Sequence, residues 1–90
     1  MSEPEAPKIE FPCPDYPIKV VGNNADDFRA YVIETVQIYA PDLDISRVTV
    51  QESRTGKYLS VRLWITATGE EQLDKMHKDL KASGRVHTVL

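Results

Sequence analysis

Ninety residues, 41% hydrophobic and 28% charged, are enough for one compact domain and too few for a second. A chain of this length buries only roughly 60–65% of its unfolded surface on folding, which disfavours a large multi-part active site. The net charge of −3 is carried by residues 1–15, where Glu3, Glu5, Glu10 and Asp15 outweigh Lys8, while residues 16–90 balance and so lack the cationic excess that general nucleic-acid binding requires.

Pro4, Pro7, Pro12, Pro14 and Pro17 crowd the first seventeen residues, and their missing amide donors and fixed φ oppose helix and central strand. Residues 1–15 therefore read as an extended, acidic arm, with disorder expected before about Lys8 and with Ile9, Phe11 and Cys13 as the side chains able to dock it. Residues 16–90 form the domain. Tyr16 to Val21 alternates as a short strand, Ile18 and Val20 on one side and Lys19 and Val21 on the other, and Gly22 is expected to end it. Asn24 is the expected N-cap of a helix running to about Ala40, with Asp26 and Asp27 near its positive end. Phe28, Val32, Val36 and Tyr39 give that helix one apolar stripe, and Pro41 closes it.

From Ile45 to about Ser53, and again from Tyr58 to Thr66, the apolar period becomes two, with Arg54-Thr55-Gly56-Lys57 between the runs. This is the pattern of a β-hairpin. Leu59, Val61, Leu63, Ile65 and Ala67 form its core face, opposite Tyr58, Ser60, Arg62, Trp64 and Thr66. Thr68-Gly69-Glu70-Glu71 matches a capping box at the start of a second helix. Leu73, Met76 and Leu80 are that helix's buried stripe, Lys78 and Lys81 lie near its negative end, and Gly84 is placed for a left-handed C-cap. Val86 to Leu90 is the last strand.

The order β-α-β-β-α-β predicts an α+β, ferredoxin-like fold: a four-stranded antiparallel sheet in the order 4-1-3-2, with both helices on one face. In combination, Phe11-Pro12-Cys13-Pro14, Tyr16 to Gly22, Val36-Gln37 through Ala40-Pro41, Gly56-Lys57-Tyr58-Leu59-Ser60-Val61, Ile65-Thr66-Ala67-Thr68, Glu71-Gln72 and Val89-Leu90 resemble the YbeD-like family of small bacterial proteins. The resemblance spans about Phe11 to Leu90. It implies the ferredoxin-like fold and a likeness to ACT-type regulatory domains, which bind small ligands such as amino acids at subunit interfaces. Where the family pattern closes the first helix with Arg-His-Ala-Pro-Gly, this chain has Ile38-Tyr39-Ala40-Pro41-Asp42, so any role of that histidine is missing.

A lone cysteine, Cys13, cannot close an internal disulfide, and the N-terminus MSEPEAPKIEF carries no apolar signal stretch, so a cytoplasmic location without membrane insertion is expected. No metal or cofactor is expected, since His77 and His87 fit no ligand spacing and phosphate-binding glycine loops are missing. No catalytic residue is assigned: Asp15 beside Cys13 opposes a lowered thiol pKa, and Asp26-Asp27 and Glu70-Glu71 suit helix starts. The informative surface is the helix-free sheet face. There the candidate ligand or partner residues are Lys19, Tyr58, Arg62 and Trp64, together with Arg47, Arg54 and Lys57, which make the hairpin locally basic. A non-enzymatic regulatory module is the expected function, its partner a small-molecule effector or a protein and its assembly a candidate homodimer. The alternative is an RNA-binding module that stacks bases on Tyr58 and Trp64 beside Arg62 and Lys19, although the first strand offers Lys19 and Val21 where a second aromatic is wanted and the signature Arg/Lys-Gly-Phe-Gly/Ala-Phe is missing.

Overall fold

Alternating β-branched residues and two apolar helical stripes assemble as the sequence predicts. The computed structural model describes residues 12–90. Its elements are β1 (Cys13–Asn23), α1 (Phe28–Tyr39), β2 (Thr49–Glu52), β3 (Tyr58–Ala67), α2 (Glu70–Ala82) and β4 (Val86–Val89). The four strands form one antiparallel sheet in the order β2-β3-β1-β4, the predicted order read from its other edge. The expected arm up to Phe11, including the docking of Ile9 and Phe11, lies outside the described residues.

Strand β1 runs further than expected at both ends. Cys13 already faces Ala67, and a bulge between Cys13 and Tyr16 places one extra residue opposite β3. Asp15 occupies that bulge with φ 56, a backbone region that non-glycine residues seldom adopt. Gly22 does not end the strand, which continues to Asn23. A Cβ at Gly22 would strike the Arg85 carbonyl oxygen and come within 2.5 Å of the Phe28 ring, so the missing side chain lets β4 and α1 close on β1.

The first hairpin strand is shorter than its alternation implied. Ile45–Arg47 winds into a 3-10 turn because the Asp44 carboxylate accepts from the Ser46 amide at 3.0 Å, and only Thr49–Glu52 pairs with β3. Gly56 takes φ 74 in the connecting turn. Asn24 does not cap α1. Its side-chain Nδ2 donates to the Gly56 carbonyl at 2.7 Å and its amide to Lys57 at 3.0 Å, which ties the hairpin tip to the β1–α1 loop. Asp27 holds the cap position of α1 but its side chain is engaged elsewhere, by Arg85.

The core is the layer between the helices and one sheet face. Ile18, Val20, Val61, Leu63 and Ile65 from the strands meet Phe28, Val32, Val36, Met76 and Leu80 from the helices, all nearly free of solvent contact. Ile33 and Thr35 join the α1 stripe, while Tyr39 is half-buried and donates to the Asp79 carboxylate at 2.9 Å. That acceptor holds the Tyr39 hydroxyl proton and raises its pKa. Tyr31 donates to the Leu80 carbonyl at 2.9 Å, satisfying an acceptor in the last turn of α2 that the helix itself leaves open.

The predicted capping box at Thr68 does not form. Gly69 takes the cap position, and Gln72 performs the return bond: its Oε1 accepts from the Thr68 amide at 2.8 Å while its Nε2 donates to the Tyr39 carbonyl at 2.7 Å. Glu71 pairs with Lys75 at 2.9 Å, and of the two lysines expected near the helix end only Lys81 lies in the last turn. Gly84 has the expected positive φ, 75.

Arg85, just before β4, grips Asp27 through two bonds of 3.2 and 2.6 Å and lies 5.0 Å from the Tyr31 ring centre. The hydrogen bond and charge of Arg85 hold the Asp27 carboxyl below its ordinary value. A depressed carboxyl stabilises the fold above its unfolded pKa of about 3.9 and loses that effect as pH falls through the lowered folded value. Arg85→Gln is therefore expected to lower Tm most at neutral pH, and the gap to the parent should narrow below about pH 4 as scanned by circular dichroism. Gly22→Ala should destabilise by about 1–3 kcal/mol in urea unfolding, whereas Gly69→Ser, with open space around it, should be neutral or slightly stabilising.

Candidate functional site

The strand registers fix what the helix-free face displays, because residues that face each other across antiparallel strands share a side of the sheet. One row runs Thr49, Arg62, Lys19, Leu90: Arg62 faces both Thr49 and Lys19, and Lys19 exchanges backbone hydrogen bonds of 3.1 and 2.8 Å with Leu90. The adjacent row contains Trp64 opposite Pro17. Together Pro17, Lys19, Arg62, Trp64 and Leu90 line a shallow depression of about 290 Å³. That size is just below the range of about 300–1,000 Å³ typical of small-molecule pockets.

Trp64 is half-buried, and Arg47 is one of the side chains that cover it. The Arg47 guanidinium lies 4.8 Å over the indole centre, in cation–π range. Arg47 Nη1 in turn reaches Asp15 Oδ1 at 2.6 Å. Asp15 comes from the β1 bulge and Arg47 from the 3-10 turn before β2, so the pair spans β3 beside Trp64. The charge of Arg47 is thus matched locally. Among the described residues, Lys19 and Arg62 have no ion-pair partner, and they stand directly opposite each other.

The predicted candidates do not form one basic patch. Lys19, Arg62 and Trp64 converge on the depression, with Arg47 at its rim. Tyr58 is on the same face but six residues along β3 from Trp64, roughly 20 Å away. It packs edge-on against His87 at 5.2 Å, and His87 Nε2 meets Asn23 Oδ1 at 2.7 Å. An extra residue in β4 at the β1 register shift places His87 there. Arg54 and Lys57 sit in the exposed hairpin turn, at the Tyr58 end. His77 is half-buried on α2, where burial depresses its pKa.

Pro17, Leu90 and Asp15 were not among the sequence candidates. Pro17 could have been found, since it precedes Lys19 by two in an alternating strand. Leu90 and Asp15 depend on long-range pairing that no local signal announces.

With this geometry in hand, comparison with known proteins places the chain. A family model described as "Protein of unknown function (DUF493)" matches residues 6–90. The chain belongs to this family. The YbeD-like resemblance read from the sequence is to the same family. A UPF0250 protein of Azotobacter vinelandii is 56% identical over 86 residues, covering 96% of this chain and 94% of the relative. Another, from Pseudomonas aeruginosa, is 51% identical over 96% of this chain and 92% of its own length.

Two solved structures show that the DUF493 chain shares its fold with more distant proteins. Protein HP0495 from H. pylori superposes with TM-score 0.71 at 16% identity, covering 96% of this chain and 89% of that one. The ACT domain from GTP pyrophosphokinase of Chlorobium tepidum gives 0.62 at 17% identity, covering 84% and 96% respectively. No helix among the described residues is long and apolar enough to cross a membrane. Among the same residues no cluster of three or more His, Cys, Asp or Glu is arranged to hold a metal ion.

Because Arg47 covers the indole, Arg47→Ala should make the chain's single tryptophan more accessible to acrylamide quenching. Arg54→Ala, at the far end of the sheet, should leave the quenching constant unchanged.

Proposed function

We propose that this protein is a non-enzymatic regulatory module of the bacterial cytoplasm, binding a small metabolite through the helix-free face of its sheet. The observation that carries the reading is the depression at Pro17, Lys19, Arg62, Trp64 and Leu90, an apolar floor with two cations that have no ion-pair partner among the described residues. Its side chains suit holding a ligand: an indole, a prolyl ring and a leucyl group offer contact area, and the cations offer orientation. The resemblance to ACT-type domains supports a regulatory role.

RNA binding has less support. Bases stacked on such a sheet need aromatics on neighbouring strands, and β1 offers Lys19 and Val21 there, while one face of Trp64 already carries Arg47. Tyr58 is too distant to form a second platform beside Trp64.

Two-dimensional amide spectra of labelled protein with the low-mass metabolite fraction of a bacterial lysate test the proposal. Shifts confined to Lys19, Arg62, Leu90 and the Trp64 indole are expected. An unchanged spectrum at millimolar metabolite would overturn it and leave a protein partner or a second copy as the occupant to test next.

A further inference from the structure

The structure points to the chemical class of the ligand: we infer that the depression takes a small amphipathic anion, a single carboxylate or phosphate a few bonds from an apolar body. This rests on the binding role proposed above. Lys19 and Arg62 face each other directly in the β1–β3 register, and no acid among the described residues pairs with either. Like charges set opposite each other on an antiparallel pair repel, so the arrangement destabilises the empty protein slightly. One anionic group between them removes the repulsion and gains charge-assisted hydrogen bonds from both.

The neighbouring row supplies the rest of the recognition. Pro17 and Trp64 lie two residues along their strands from Lys19 and Arg62, a spacing of roughly 7 Å between the rows. A ligand with its anion on the first row therefore lays its apolar part on the prolyl ring and indole, with Leu90 closing the side. The third nearby cation does not enlarge the anion the site prefers. Arg47 is matched by Asp15 at 2.6 Å, so that pair is locally neutral and leaves Lys19 and Arg62 as the charges that set the site's preference. The charge balance suits a single compact anionic group and disfavours a polyanion.

The test uses full-length labelled protein and four probes followed by amide and indole shifts: 3-phenylpropanoate, phenyl phosphate, the neutral 3-phenylpropanamide, and a short oligoadenylate RNA. The anionic aromatic probes should shift Lys19, Arg62, Leu90 and the Trp64 indole, and whichever binds tighter identifies carboxylate or phosphate. The amide should bind at least about tenfold more weakly, because it forfeits the charge-assisted part of its bonds to both cations. Lys19→Gln and Arg62→Gln, both outside the core, should each weaken the anions similarly and the amide far less. Equal binding of acid and amide would overturn the assigned class while leaving a binding face intact. Tighter binding of the RNA than of either small anionic probe, or no shift with either, would also overturn it. The metabolite-fraction experiment decides the broader binding role separately.

Discussion

The antiparallel register between β1 and β3 is the constraint on which the rest of the molecule depends. It sets Ile18 against Leu63 and Val20 against Val61 on one face, and Lys19 against Arg62 and Pro17 against Trp64 on the other. A slip of one residue would exchange those faces, driving a lysine and an arginine into the helix layer. Burial of the core side chains therefore enforces the register, and the register delivers the cations and the indole to the open face. The candidate site follows from the strand pairing that builds the core.

Polar ties around that layer hold the elements the site draws on. Gln72 links the start of α2 to the end of α1, Tyr31 closes the far end of α2, and Arg85 joins the approach to β4 to the start of α1. Gly22 permits the close approach of Phe28 and Arg85 that lets β4 lie along β1, and Leu90 reaches the depression only because that pairing persists past Val89. The Asp15 bulge is the other contribution. Its left-handed backbone aims a carboxylate across β3 to Arg47, which sets the orientation of the guanidinium over Trp64.

Most of the topology was legible because hydrophobic period and turn chemistry agreed over whole elements: Leu59 to Ala67 alternates without a break, and Leu73, Met76 and Leu80 lie on one helical stripe. The misread features were local hydrogen-bond choices with several acceptable solutions. Asn24 could cap a helix or anchor a hairpin tip, and only the proximity of Gly56 decides. Thr68 and Glu71 spell a capping box, but Gln72 reaches two carbonyls and an amide that the sequence alone does not place nearby. Ile45 to Arg47 alternates like a strand until Asp44 bends it.

The site was half legible for the same reason. Alternation along β3 placed Arg62 and Trp64 correctly on the open face, and alternation along β1 placed Lys19. Charge counting along the hairpin merges Arg47, Arg54, Lys57 and Arg62 into one patch because it ignores distance along the strands: the turn holds Arg54 and Lys57, while Arg62 pairs with Thr49 well away from it. The pairing of Arg47 with Asp15, thirty-two positions apart, removes one of those charges from the count.

The repulsion between Lys19 and Arg62 is measured directly by a double-mutant cycle, using urea unfolding of the parent, Lys19→Gln, Arg62→Gln and the double variant at low and high salt. A repulsive coupling of about 0.2–1 kcal/mol is expected at low salt, fading as salt rises. A coupling of zero or an attractive one at low salt would contradict it, showing that the two cations are not held against each other.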